Sequence, residues 1–155
     1  MSVLAVEKPG WMTEDVEIFA DAVGRFFDKE CVPHNDRWIA RHQVDRDIWN
    51  KAGANGLLLA STPEEFGGAG GTFAHEAAII DRLGRAGVDG FGITLHNAIV
   101  APYIYHYGSP EQKMRWLPKL ASGELVAAIA MTEPGTGSDL QSVKTTAKKD
   151  GNHYV

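Results

Sequence analysis

Short hydroxyls, glycines and carboxylates crowd into one stretch of this sequence, Thr132-Glu-Pro-Gly-Thr-Gly-Ser-Asp139. Thr132, Thr136 and Ser138 each carry a hydroxyl on a short stem. Gly135 and Gly137 are expected to take backbone angles closed to other residues, so that the chain folds tightly and aims several N–H groups one way. Such a loop offers many fixed donors and little bulk, which suits an anion or a flat ligand with a polar edge. A Pro-Gly turn between two strands has the same composition, and the stretch alone does not choose between the two. The loop is entered from an apolar run, Leu125-Val-Ala-Ala-Ile-Ala-Met131, that reads as a strand.

Helices must hold this loop. From Thr13 to Cys31, Val16, Phe19, Ala20, Val23, Phe26 and Phe27 recur at three- and four-residue steps, one face of a helix. Thr13 is the expected N-cap, with Glu14 and Asp15 at the positive end of the helix dipole, and Pro33 ends the helix. His34 to His42 reads as a short second helix. Asp45 is expected to cap a third, through Ile48, Trp49 and Ala52, that closes at Gly53 or Gly56. Leu57 to Ala60 is apolar but short, a buried connector.

Pro63 to Gly71 is glycine-rich, yet no strand-to-helix unit surrounds it, so a helix–helix linker fits better than a dinucleotide loop. Phe73 to Ala86 is helical, with Ala77, Ile80 and Leu83 on one side. Gly90 to Tyr107 is apolar nearly all round, which predicts a helix buried among others. Ser109-Pro-Glu-Gln112 is a capping box with proline at the first helical position. Met114, Leu117 and Leu120 give that helix an apolar face despite Pro118, and Gly123 closes it.

After Leu125 the character turns to β. Val143 to Lys148 is rich in β-branched residues, and Asp150-Gly151 signals a hairpin. The reading is a mainly α fold: an N-terminal helical bundle of about six helices over residues 1–124, then the first strands of a truncated β domain over residues 125–155. A strand stub without a partner leaves backbone groups unpaired, so the chain is expected to be a piece of a longer protein.

Composition narrows the function classes. The 155 residues carry a net charge of −5, which argues against nucleic acid as a partner, and no Lys/Arg run marks a membrane surface. The longest apolar run is far too short to span a bilayer. The first residues lack the basic start and long apolar run of a signal peptide. Cys31 is the sole cysteine, which points to a reducing compartment, and the expected location is cytoplasmic. His96 and His106 have no carboxylate or cysteine at ligand spacing, so no metal site is expected.

Three stretches resemble one family. Thr132-Glu-Pro-Gly-x-Gly-Ser-Asp139 resembles the flavin-binding signature of the acyl-CoA dehydrogenases. Pro63-Glu-Glu-Phe-Gly-Gly68 resembles that family's loop between two N-terminal helices. Gly108 to Glu124 resembles the helix that leads into its β domain. Together the matches span roughly residues 13–155. The resemblance implies FAD as cofactor, an acyl-CoA thioester as substrate and an electron-transfer flavoprotein as acceptor. It also implies a homo-oligomer for the full-length protein.

By the same resemblance, Ile129, Met131 and Thr132 should lie along the isoalloxazine ring, and Gly137 should let the cofactor approach the backbone. Ser138 should reach the flavin's phosphate side or the pantetheine arm of CoA. Leu95 and Ile99 are candidates for the acyl-chain wall, or else ordinary core. Glu133 and Asp139 read as acceptors that fix the loop. The family's catalytic glutamate lies in sequence beyond this chain, so no residue here is expected to act as the base, with Glu133 the minority alternative. This chain alone is therefore expected to be inactive and to bind FAD weakly or not at all. The alternatives are a related flavoprotein oxidase, acting on acyl-CoA or nitroalkanes, and a non-catalytic helical interaction module.

Overall fold

The computed structural model describes residues 8–155. The start of the chain, read above as no signal peptide, falls largely outside the described residues. Six helices occur among them: α1 (Glu14–Glu30), α2 (Asn35–Arg41), α3 (Arg46–Ala54), α4 (Phe73–Ala86), α5 (residues 93–107) and α6 (Pro110–Ala121). No helix here is long and apolar enough to cross a membrane.

α1 buries Val16, Ala20, Val23, Phe26 and Phe27, the stripe its periodicity predicts, and packs along α4. Thr13 stands at the N-cap with extended backbone, but its hydroxyl donates to Asp15 instead of capping an amide. Asp45 likewise precedes α3 without a side-chain cap bond, because Arg37 and Arg41 take its carboxylate. α3 runs through Gly53 rather than stopping there. A Cβ on Gly53 would lie 2.5 Å from the Ser122 carbonyl oxygen, so glycine serves close approach to the end of α6.

α4 has the expected bounds but a rotated face. Glu76, Ala78, Ile79 and Leu83 are buried, while Ile80 is exposed. The expected face fails because it leaves Glu76 to solvent. In the fold Glu76 accepts from the Ser61 amide (3.0 Å), the Ser61 hydroxyl (3.3 Å) and the Asn97 side chain (3.1 Å). Burial pushes its carboxyl above the ordinary range, and those bonds pull it back.

α5 is three continuous pieces: Ile93–Leu95, a π turn at His96–Val100, and Ala101–Tyr107. Pro102 has no N–H for an i→i−4 bond and its ring crowds the preceding turn. The widened turn absorbs it, with the Ala101 amide reaching back to the His96 carbonyl. The expectation of burial all round does not hold. Ile93, His96, Asn97 and Ala101 face the core, whereas Ile99, Tyr103 and Tyr107 are exposed.

α6 carries the full capping box: the Gln112 amide donates to Ser109 Oγ (3.3 Å) and the Ser109 amide to Gln112 Oε1 (2.8 Å). Leu117 and Leu120 are buried; Met114 is exposed on an open cleft beside Phe66.

The connector Leu57–Ala60 is wholly buried, as its composition predicts. Its backbone finds partners in one side chain. Asn97 Oδ1 accepts from the Leu59 amide (3.1 Å), and Asn97 Nδ2 donates to the Leu57 carbonyl (2.7 Å). Leu59 sits at φ +54°, a left-handed backbone that costs a branched residue energy, so its surroundings must enforce it.

The β part is sparse. Lys149–Asp150 pairs antiparallel with His153–Tyr154, Asp150 opposite His153. The turn is Gly151-Asn152, one residue later than expected, with Gly151 at φ +57° in the first central position, where type II′ turns place glycine. Lys148 and Val155 extend the pairing by exchanging amide bonds. The run Leu125–Met131 and most of Val143–Lys148 form no ladder, contrary to expectation, because no neighbouring strand is present among the described residues.

Asn97→Ala strips acceptors and donors from a buried connector and from Glu76. Equilibrium urea unfolding should show a loss of about 2–4 kcal/mol. A loss below about 1 kcal/mol would mean that the connector does not depend on this side chain.

Candidate functional site

The glycine loop hangs from the bundle by a joint over residues 122–127. Arg46, at the start of α3, donates to the Gly123 carbonyl (2.5 Å) and the Glu124 carbonyl (2.7 Å). Gly123 has φ +76°, and a Cβ there would lie 2.3 Å from the Trp49 carbonyl oxygen. The Leu125 amide donates to the Lys119 carbonyl (3.0 Å). The Ala127 amide donates to His96 Nδ1 (3.1 Å), while the other ring nitrogen of His96 meets the Leu120 carbonyl (3.1 Å). The chain thus leaves α6 tied to α3 and α5.

Beyond the joint the backbone is extended. Ala127 and Ile129 are half-buried while Val126, Ala128 and Ala130 are exposed, the alternation of a strand. Among the described residues, the amides from Ala128 to Thr132 have no acceptor, and neither do those of Gly137 and Ser138.

The loop that follows is built around Glu133. Its carboxylate accepts from the Lys144 amide (2.9 Å) and the Thr145 amide (2.8 Å), and its backbone exchanges two bonds with Thr136, each 3.0 Å. Hydrogen bonds from Thr145, side chain first, and from the Lys144 amide hold its carboxyl below the usual range. Thr136 is buried and donates to the Ser142 carbonyl (3.0 Å). The Ser142 hydroxyl donates to Asp139. Glu133 therefore fixes the loop through backbone amides, as expected, while Asp139 does so through a side-chain hydroxyl.

Gly135 and Gly137 correct one expectation. Neither has positive φ, so the loop's backbone does not require them. A Cβ on either would meet nothing within 4 Å. They leave the loop's surface bare.

An open cleft of about 570 Å³ is lined by Ala130, Met131, Thr132, Glu133, Leu140, Val143 and Thr145. It brings together Met131 and Thr132 from the expected site residues. Ile129 precedes it on the same segment. Gly137 and Ser138 lie on the exposed turn beyond. Leu95, half-buried, and Ile99, exposed, are on α5, outside the cleft lining. Sequence reasoning gave no role to Arg46, Asn97 or Glu76. The signal for Asn97, and for the bridging role of His96, was a polar pair inside an otherwise apolar helix.

Residues 13–124 match the family described as "Acyl-CoA dehydrogenase, N-terminal domain". The chain belongs to the acyl-CoA dehydrogenase family. Over 139 residues it is 43% identical to the mitochondrial long-chain specific acyl-CoA dehydrogenase of Sus scrofa, covering 90% of this chain and 32% of that protein. The crystal structure of an acyl-CoA dehydrogenase from Geobacillus kaustophilus matches with a TM-score of 0.89 and 44% identity, over 96% of this chain and 39% of that one. An acyl-CoA dehydrogenase from Bacillus anthracis, described as complexed with FAD, matches with a TM-score of 0.81 and 36% identity, over 92% of this chain and 25% of that one. The chain thus spans about a third of the length of curated relatives such as the Sus scrofa protein.

The donor set fits a flavin. Met131 and Thr132 present neighbouring free amides and one hydroxyl beside an open cleft, which suits the polar edge of a flat ring. The free amides of Gly137 and Ser138 and the bare glycine surface suit a second polar or anionic part of the same ligand.

Acid should loosen this loop through Glu133. Its folded-state pKa lies below the unfolded 4.5, so its hold is complete above pH 4.5 and is lost as the pH falls through the folded value. The Lys144 and Thr145 amide signals in NMR spectra should stay fixed from neutral pH to about 4.5 and move together below it. Movement beginning near pH 6 would assign the loop's hold to another group.

Proposed function

We propose that the chain supplies the N-terminal part of a flavin-dependent acyl-CoA dehydrogenase. Residues 1–124 form the helical domain, and residues 125–155 begin the middle β domain. The end of the family match at residue 124 supports that boundary. The observation that carries the reading is the pair of free amides at Met131 and Thr132, presented beside an open cleft at the start of a loop that Glu133 braces.

FAD, when bound, supplies acceptance of the substrate's β-hydrogen as hydride once the α-proton is removed. This chain's residues position and polarise. Ile129 and Met131 would lie along the ring's flat side. The amides and hydroxyl at Thr132 would hold its pyrimidine edge, where preorganised donors favour negative charge. Gly137 leaves room at the backbone, and Ser138 offers its hydroxyl and amide to the phosphate side of the cofactor or to the pantetheine arm of CoA. Leu95 and Ile99 contribute the bundle's apolar share of the acyl-chain wall. No side chain here is assigned the role of base.

An electron-transfer flavoprotein as acceptor and a homo-oligomeric whole protein belong to the same proposal. So does the cytoplasmic placement. It rests on Cys31 being the sole cysteine of this sequence, which can form no internal disulfide. The relative named as mitochondrial shows that the family also operates in an organelle.

A polypeptide extended to the relatives' length is expected to purify yellow and to bleach when given an acyl-CoA under anaerobic conditions. A folded but colourless product would contradict the proposal. The 155-residue chain alone should show no dehydrogenase activity, and FAD should raise its melting temperature little or not at all, because one short segment gives the ligand too little contact to offset its ordering cost.

A further inference from the structure

Within the flavin reading above, we propose that His96 is a positioning residue: its imidazole pins the Ala127 amide to α6 and so sets where the Met131 and Thr132 donors stand. The ring is fully buried. Its two nitrogens face opposite kinds of group, the Ala127 N–H on one side and the Leu120 carbonyl on the other, each at 3.1 Å. One arrangement satisfies both: a neutral ring protonated at Nε2, with Nδ1 accepting. Protonating Nδ1 as well would set N–H against N–H.

Three features hold the ring still. Its backbone lies in the π turn forced by Pro102. Trp49 packs against it at 5.2 Å between ring centroids. Trp49 is in turn held edge-on by Phe91 at 4.8 Å. Such fixed packing is more than a solvated histidine needs.

Leverage makes this bond matter. Between the Leu125 amide, tied to α6, and the Glu133 amide, tied to the loop, the Ala127 bond is the only hydrogen bond from the backbone among the described residues. Thr132 lies five extended residues further on, about 17 Å at roughly 3.3 Å per residue. A swing of about 10° at Ala127 would move the Thr132 amide by about 3 Å, well beyond the tolerance of a donor aimed at a ligand edge.

The charged groups around this joint do not bond to the imidazole. Arg46 of α3 holds the Gly123 and Glu124 carbonyls, Lys119 and Glu124 pair with each other at the end of α6, and Glu76 of α4 is taken by Asn97 and Ser61. Burial keeps the His96 pKa below its ordinary 6.5, in keeping with a neutral ring at physiological pH.

The test needs no flavin. In the 15N-labelled 155-residue chain at pH 7, an N–H···N bond should give a scalar coupling between the Ala127 amide nitrogen and His96 Nδ1, with the proton on Nε2. Two variants separate positioning from bulk. His96→Asn places an amide oxygen near the Nδ1 position and keeps the acceptor; His96→Phe keeps a ring and removes it. Residual dipolar couplings of Ala128–Thr132 should match the parent in His96→Asn. They should collapse toward zero in His96→Phe, while the couplings of residues 110–117, away from the lost Leu120 contact, match the parent in both.

Absence of the coupling in the parent, or an ordered segment in His96→Phe, would overturn the proposal. A titration with FAD distinguishes this from the failure of the flavin reading. If the coupling and the rescue are present in a chain extended to full length, yet FAD leaves Met131 and Thr132 untouched, the flavin reading fails and the pinning by His96 stands.

Discussion

A peptide amide that meets no acceptor in the protein must meet water, another strand or a ligand, and a row of amides from Ala128 to Thr132 meets none among the described residues. Polar groups tie the chain leading to that row onto the bundle. The exposed Arg46 takes the carbonyls just past α6, buried His96 takes the Ala127 amide, and buried Asn97 holds the connector and Glu76. His96, Asn97 and Glu76 would each cost stability if left unpaired in an apolar interior, and each is paired.

The same logic accounts for the irregularities. The π turn in α5 exists because Pro102 cannot donate, and it is there that His96 and Asn97 turn inward together. Leu59 accepts a left-handed backbone because Asn97 holds its amide. Strain and bulge fall where the fold must aim polar groups, which is where such departures from regular structure concentrate.

Much of the bundle was legible from residue order. The α1 stripe, the bounds of α4, the capping box at Ser109 and the buried connector at Leu57–Ala60 all follow from local rules that the tertiary fold does not override. Other readings failed for long-range reasons. The face of α4 turns because Glu76 finds partners on a distant loop and helix. Ile99 and Tyr103 stand exposed because apolar composition cannot say which side of a helix will be covered. Leu125–Met131 alternates like a strand but forms no ladder, since pairing depends on a neighbour that local sequence does not supply. The glycine loop was found at once, yet for a partly mistaken reason: Gly135 and Gly137 leave open space rather than unusual backbone angles.

The chain belongs to the acyl-CoA dehydrogenase family. Under the function proposed above, the bundle is the mount and the segment after Ala127 is what it presents. The most direct measurement is a crystal structure of a polypeptide extended to the length of the relatives, grown with FAD. The account predicts the Thr132 amide and hydroxyl within hydrogen-bonding distance of the ring's pyrimidine edge. A Thr132 amide donating instead to a neighbouring strand, with the flavin bound elsewhere, would contradict it.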